Sequence, residues 1–275
     1  MRNRTDWDVD WGWQRALLAL LVSILAYVLL SIGGLLVIEL AGRGTRVSDV
    51  GDVVEKMGAV ARYVDALLAA ASEGRPRPEP PELLASQFAL QVGFLSTLAY
   101  HVAIALIGVT LVTSPERLWR RVVLARLSWR GLGRALLAAA AGYGIVLGYA
   151  AVVTALGWEP LIPKSTVPIE TTRDPVTLAL TGLVAVGTAP VAEELLFRGY
   201  LFGGLANRLG FLPAAFLSSA LFAANHFDPG SIIPFTMVGM LLCALFWRAG
   251  SLWESMAMHM IFNGTSYLLL LGVSA

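Results

Sequence analysis

Seven stretches of the chain are apolar around their whole circumference, and they set the expected architecture. Residues 16–38 contain no charged side chain. A membrane-spanning helix needs roughly 20 mostly apolar residues, so this is the first predicted span. It exceeds the apolar region of a cleavable signal peptide, which runs roughly 7–15 residues, and it reads as a retained helix. Residues 88–113 and 135–158 are the second and third. Residues 176–206 form a long helical stretch whose apolar character is broken by Glu193, Glu194 and Arg198. Its Pro190 and the cluster Gly199, Gly203, Gly204 predict a kink or a division in two. Residues 211–227, 232–247 and 252–271 complete the set. The expectation is an all-α polytopic bundle of seven helices, or eight if the fourth stretch divides.

Two segments break the pattern. Residues 41–83 carry many charges and include the run Arg75-Pro-Arg-Pro-Glu-Pro-Pro81. Prolines block helix and favour extended chain. Within this polar loop, residues 53–71 have apolar side chains at helical spacing and predict a surface helix. Residues 161–175, rich in Pro and Thr, form the second loop. The connector at 114–134 carries Arg117, Arg120, Arg121, Arg126, Arg130 and Arg134 against Glu116 alone. Basic residues concentrate in short cytoplasmic loops, so this connector is expected in the cytoplasm, and its Trp119 and Trp129 suit a membrane interface. Counting back, the N-terminus with Arg2 and Arg4 is cytoplasmic and the 41–83 loop lies outside. Arg208 and Arg248 then mark cytoplasmic ends as well. The division that follows is an N-terminal part, 1–134, and a helical core, 135–275. The localisation expected is a multi-pass protein of the cell membrane.

Composition agrees with this reading. Of 275 residues 57% are apolar and 14% charged, with mean hydropathy +0.70. Soluble domains average about 25% charged residues, which excludes an ordinary soluble enzyme and a disordered chain. A net charge of +1 supplies no field to draw in nucleic acid. The single cysteine, Cys243, excludes an internal disulfide framework and a cysteine zinc cluster. It sits in an apolar helix with no histidine within a turn, as an inert packing residue would.

The ionisable groups in the apolar C-terminal third therefore stand out, because such a group in a membrane helix is costly unless paired or hydrated. In Ala192-Glu-Glu-Leu-Leu-Phe-Arg198, Glu194 and Arg198 are four apart, share a helix face and can pair. Glu193 is rotated by about 100° and lacks that counter-ion, which makes it the candidate general base. The pair could equally be a lock between helices. In Phe222-Ala-Ala-Asn-His226 the ring and the imidazole share a face. Taken alone, His226 could be an ordinary residue at a helix end. In His259-Met-Ile-Phe-Asn263 two hydrogen-bond donors project from one side of an apolar helix, as a developing oxyanion requires. The same pair would serve helix–helix hydrogen bonding. Two Glu and two His also raise a zinc site, but no string places two His four apart with a Glu beside the first.

Taken in order, Glu193-Glu-x-x-x-Arg198, Phe222-x-x-x-His226 and His259-x-x-x-Asn263 resemble the CPBP family, the CAAX protease and bacteriocin-processing group also called Abi. That group includes the Ras-converting type of CAAX prenyl endopeptidase. The resemblance covers residues 176–270. It implies a glutamate-dependent intramembrane endopeptidase whose helices surround a conical cavity. In it, Glu193 with His226 would activate water, and His259 and Asn263 would hold the oxyanion. Glu194 and Arg198 would organise the site, with Phe222 packed against it. It implies no cofactor, zinc being the alternative, and a membrane-bound or prenylated protein or peptide as substrate, meeting a pocket reached from the cytoplasm. A non-proteolytic membrane scaffold or immunity partner, and a proton-coupled carrier, are the competing functions.

Overall fold

The computed structural model describes residues 11–41, 50–72, 75–76, 78–112, 128–164, 171 and 174–274, and all regular structure among them is helical. The N-terminal residues Arg2 and Arg4, and most of the basic connector with Glu116 and Trp119, lie outside the described residues. Helix α1 is Trp13–Leu40 and α2 is Val50–Ser72. Helix α3 is Gln87–Ile107, continued by a wider π-turn at Gly108–Val112. Helix α4 is Trp129–Ala155, α5 is the composite Pro175–Leu209, and α6 is Phe211–Ala224. Helices α7, Ile232–Ala249, and α8, Trp253–Ser274, complete the bundle.

Local chemistry explains where the helices begin. Ser86, Ser128 and Asp174 each accept a hydrogen bond from the backbone N–H three residues on, at 3.2, 3.0 and 2.8 Å. These are N-caps, which satisfy donors that the first helical turn leaves unpaired. Gly250, with φ of 72°, turns the chain from α7 into α8, a conformation that favours glycine.

The chain is an integral membrane protein. Among the described residues, α1, α3 with its π-turn, α4, α5 and the segment Pro229–Ala249 are long and apolar enough to cross a bilayer. Their outward faces are apolar: Leu21, Leu25 and Leu29 of α1 are 63%, 56% and 59% exposed, as side chains facing lipid would be. The other two predicted spans fall short for separate reasons. With 14 residues, α6 reaches about 21 Å at 1.5 Å per residue, less than the hydrocarbon core. Helix α8 has the length, but His259, Asn263, Thr265, Ser266 and Tyr267 dilute its apolar character.

The fourth stretch stays undivided and absorbs its irregularity by widening. Two π segments, Leu183–Thr188 and Glu194–Phe202, flank a short α-helical piece, Ala189–Glu193. Every residue from Glu194 to Phe202 is buried, so this segment is the axis of the bundle. Around it α1, α3, α6 and α7 form the main core. Gly204 serves packing rather than bending: a Cβ there would meet the Ala16 methyl at 2.7 Å. On the far side, Ala135, Ala139, Leu242 and Met258 join α4, α7 and α8. The expected surface helix is present as α2; its Tyr63 packs with Leu84 and Leu90.

Candidate active site

Three of the short motifs converge beside the central π segment. Glu194 and Arg198 are both fully buried, and Arg198 Nη1 donates to Glu194 Oε1 at 2.9 Å. The same Oε1 accepts from His259 Nδ1 at 3.0 Å. Glu194, facing a guanidinium, is an acceptor only, so the His259 proton sits on Nδ1. His259 Nε2 then points to Glu193 Oε2, 3.7 Å away, which is longer than a direct hydrogen bond. The order Arg198–Glu194–His259–Glu193 thus places one glutamate behind the imidazole and the other in front of it. The rear carboxylate fixes the ring's tautomer and lies opposite any charge the ring acquires, the part a triad carboxylate plays. The structure therefore puts Glu193 beside His259. His226 is within electrostatic reach of Glu193.

Phe222 holds these groups in register. Its ring meets His226 edge-on at 4.9 Å between centroids and His259 at 5.6 Å. The Arg198 guanidinium lies over the same ring, 4.3 Å from its centroid, a cation–π contact that a desolvated site strengthens. His226 Nδ1 donates to the Phe222 carbonyl at 2.9 Å, which leaves Nε2 with its lone pair. Phe235 flanks that imidazole at 4.8 Å, so its plane is set from two sides. Phe227, just after it, adopts φ of 53°. A left-handed conformation of this kind in a bulky residue costs about 1–3 kcal/mol and turns the chain sharply behind His226.

Asn263 is anchored by a defect in α5. Ala189 N–H bonds Val184 O in the π register. In the same register the Ala185 carbonyl would accept from residue 190, but Pro190 has no N–H. Asn263 Nδ2 donates to that carbonyl instead, at 2.8 Å. One of its two N–H groups is thereby used, and the predicted helix–helix bond and the predicted donor are the same side chain.

His226, His259 and Asn263 line a cavity of about 470 Å³ between α4, α6, α7 and α8. Its walls are mostly apolar, with Tyr143, Phe235 and Phe262 prominent. Leu242 and Met258 form the floor. Pro163 and Lys164 stand at the other end, held by Asp228, whose Oδ2 accepts from Lys164 N–H at 2.9 Å and from Ser231 Oγ at 2.6 Å. Leu269 lines the cavity and is also 60% exposed, so one wall is open to lipid. The lining reaches the helix ends at Ala155 and Ala224, near which Lys164 and His226 stand.

One group escaped the motifs. His101 of α3 is buried, and its Nδ1 is 2.8 Å from Thr188 Oγ1. Glu193 is within electrostatic reach of His101 and of its neighbour Tyr100. The signal available was a histidine inside an apolar span, which is a functional candidate on its own. Among the described residues, no group of three His, Cys, Asp or Glu side chains is placed to hold a metal ion. Cys243 is buried and contacts Ser219 Oγ at 3.8 Å, as an inert packing residue would.

This arrangement can be set against known proteins. Residues 175–265 match the Rce1-like family, type II CAAX prenyl endopeptidases. The Rce1-like segment contains all three motifs and ends two residues beyond Asn263. A Bacillus subtilis (strain 168) protein named "Putative membrane peptidase YdiL" is 28% identical over 81 residues, which is 30% of this chain and 33% of that protein. The chain thus spans about a third of the length of the curated relative it matches. No solved structure matches the chain.

Proposed function

We propose that the protein is an intramembrane endopeptidase that hydrolyses a peptide bond of a membrane-associated substrate with water activated by Glu193 and histidine. The observation that carries this reading is the line Arg198–Glu194–His259–Glu193 at the edge of a cavity walled by His226 and Asn263. The match of residues 175–265 to an endopeptidase family supports it.

The chemistry follows from the geometry. A water between Glu193 and the histidines loses a proton to Glu193 as its oxygen attacks the scissile carbonyl. His226 orients that water through Nε2, because its Nδ1–H is committed to Phe222 O. The oxyanion develops toward the second N–H of Asn263 and toward His259, which becomes a donor once Glu193 passes the water's proton to the facing Nε2. Glu194, held by Arg198, faces the charge that His259 then bears. The proton returns to the leaving amine as the C–N bond breaks. No cofactor enters these steps; zinc is the alternative, and loss of cleavage in chelator with recovery on added zinc would establish it.

The test is cleavage by the purified protein, wild type against Glu193→Ala, with peptides drawn from a precursor that accumulates when Glu193→Ala replaces the wild type in the native host. Cleavage should vanish in the variant while its elution and melting are unchanged. Cleavage at the wild-type rate by Glu193→Ala would remove the assignment. A native-host phenotype that survives Glu193→Gln would favour the scaffold.

A further inference from the structure

We propose that His101 of α3 is a positioning residue for Glu193, acting through Thr188 to fix where the first wide segment of α5 ends. This rests on the peptidase reading for what Glu193 does; the contact itself rests on geometry alone.

Threonine in a membrane helix ordinarily turns its hydroxyl back to its own backbone. Thr97, Thr110, Thr181, Thr236 and Thr265 each donate to the carbonyl four residues before them, at 3.0, 2.8, 2.8, 2.6 and 2.9 Å. Thr188 makes no such bond among the described residues. The carbonyl four residues before it, Val184 O, already receives Ala189 N–H in the wide register. The Thr188 hydroxyl turns to α3 instead, 2.8 Å from His101 Nδ1. With no backbone acceptor of its own, Thr188 is the donor, so the His101 proton sits on Nε2. His101 is buried, and a histidine inside a membrane helix is a costly residue where packing alone is needed.

Thr188 is where α5 changes register. The wide segment Leu183–Thr188 ends there, and the α-helical piece Ala189–Glu193 begins. Moving that boundary by one residue would turn every later side chain about the helix axis, Glu193 included. The backbone cannot hold the boundary by itself, because Pro190 lacks the N–H that would bond there. Side chains of two other helices hold it. From α8, Asn263 Nδ2 donates to Ala185 O at 2.8 Å. From α3, His101 takes the Thr188 hydroxyl. Helix α3 packs along the Ala189–Glu193 piece, and Glu193 is within electrostatic reach of His101 and Tyr100. With Thr188 pinned, Glu193 Oε2 is kept facing His259 Nε2, 3.7 Å away. A catalytic group displaced by about 1 Å can cost about 10² in rate, so the pin bears on turnover without touching substrate.

The test compares His101→Leu, Thr188→Val, the double variant and His101→Asn, each purified whole, with the precursor peptides of the cleavage assay. Thr188→Val keeps the branched shape and carries the test where His101→Leu fails to fold. The amide of His101→Asn can accept the Thr188 hydrogen in place of Nδ1. Each of the first two variants should lower kcat by about 10–10² at unchanged KM. The double variant should lose no more than the worse single one, and His101→Asn should recover most of kcat. Wild-type kcat in Thr188→Val, losses that multiply in the double variant, a change carried by KM alone, or no recovery in His101→Asn overturns the proposal. A second readout needs no catalysis: the carboxyl-carbon NMR resonance of Glu193 in reconstituted protein, assigned by its loss in Glu193→Gln. It should move in His101→Leu and Thr188→Val and return in His101→Asn; a resonance that stays in place also overturns the proposal. A resonance that moves in a protein whose wild type cleaves no precursor removes the peptidase reading and leaves His101 aiming Glu193. Wild-type cleavage that both variants retain, with the resonance unmoved, removes this one.

Discussion

Replacing Glu194 by Gln tests the central line of charges with the least change of shape. The side chain is fully buried, and its Oε1 accepts from both Arg198 and His259, at 2.9 and 3.0 Å. Gln keeps that oxygen and the volume, so both hydrogen bonds can persist while the negative charge is lost. Removing one partner of a buried ion pair costs about 3–5 kcal/mol because the other charge is left uncompensated. A lower bound comes from the bonds alone. Hydrogen bonds to charged groups contribute about 1.5–3 kcal/mol and neutral ones about 0.5–1.5, so two weakened bonds cost about 2 kcal/mol. Glu194→Gln should therefore destabilise by about 2–5 kcal/mol. Adding Arg198→Met removes the orphaned cation and should restore at least half of that loss. The assay is unfolding in mixed micelles titrated with SDS and followed by tryptophan fluorescence, on both single variants and the double. A Glu194→Gln protein within 0.5 kcal/mol of wild type, or a double variant less stable than the sum of the singles, would refute the reasoning.

Four further outcomes are expected. Asn263→Ala should lower kcat by about 10²–10³, the usual loss of one oxyanion donor, with a stability change near 1 kcal/mol for the interhelical bond; an unchanged kcat in the cleavage assay would leave Asn263 a purely structural residue. Pro190→Ala supplies the N–H that the Ala185 carbonyl lacks and should release the Asn263 amide, lowering kcat without lowering the melting temperature; full activity would show that the anchor is irrelevant. Tyr200→Phe should be neutral or stabilising in the SDS titration, because its buried hydroxyl has no partner among the described residues and removing such a group relieves a desolvation cost. Asp174 is held below its ordinary carboxylate range, chiefly by the Thr177 backbone N–H and then by the Thr177 hydroxyl. A depressed folded-state value gives stability that is present above the ordinary value of 3.8 and lost as pH falls through the lower folded value. Melting temperatures of wild type and Asp174→Asn should thus differ at neutral pH and converge below that range.

How much of this was legible in the sequence depends on the range of each interaction. Uniformly apolar runs located the membrane helices, because a lipid-facing surface needs no pattern beyond apolarity, while α2 showed in the helical spacing of its apolar residues. The Glu194–Arg198 pair and the Phe222–His226 contact were readable as well, since four residues along a helix bring side chains to one face. The contact of His259 with Glu194 spans 65 positions, and no spacing rule reaches that far. Nor did spacing show that Glu193 Oε2 comes within 3.7 Å of His259 Nε2. His101 was overlooked because it stands alone in α3, and only folding brings Thr188 beside it. Pro190 was read as a kink or break. The helix around it is continuous and widens to a π register on either side, set by which backbone donors remain. The topology and the mouth of the cavity illustrate the converse. The arginines gave an expected orientation, but which end of the bundle is hollow needed the packed helices.

On the proposed mechanism, the Ala185 carbonyl that Pro190 leaves without a backbone donor has a consequence for turnover. A hydrogen-bond donor that swings freely must be ordered each time a substrate arrives, and that ordering adds to the barrier. Here the backbone itself demands a donor, because proline at 190 can never satisfy the acceptor, and Asn263 answers that demand as the chain folds. The reorganisation is completed once in the lifetime of the molecule, before the first substrate arrives, and no later encounter has to repeat it.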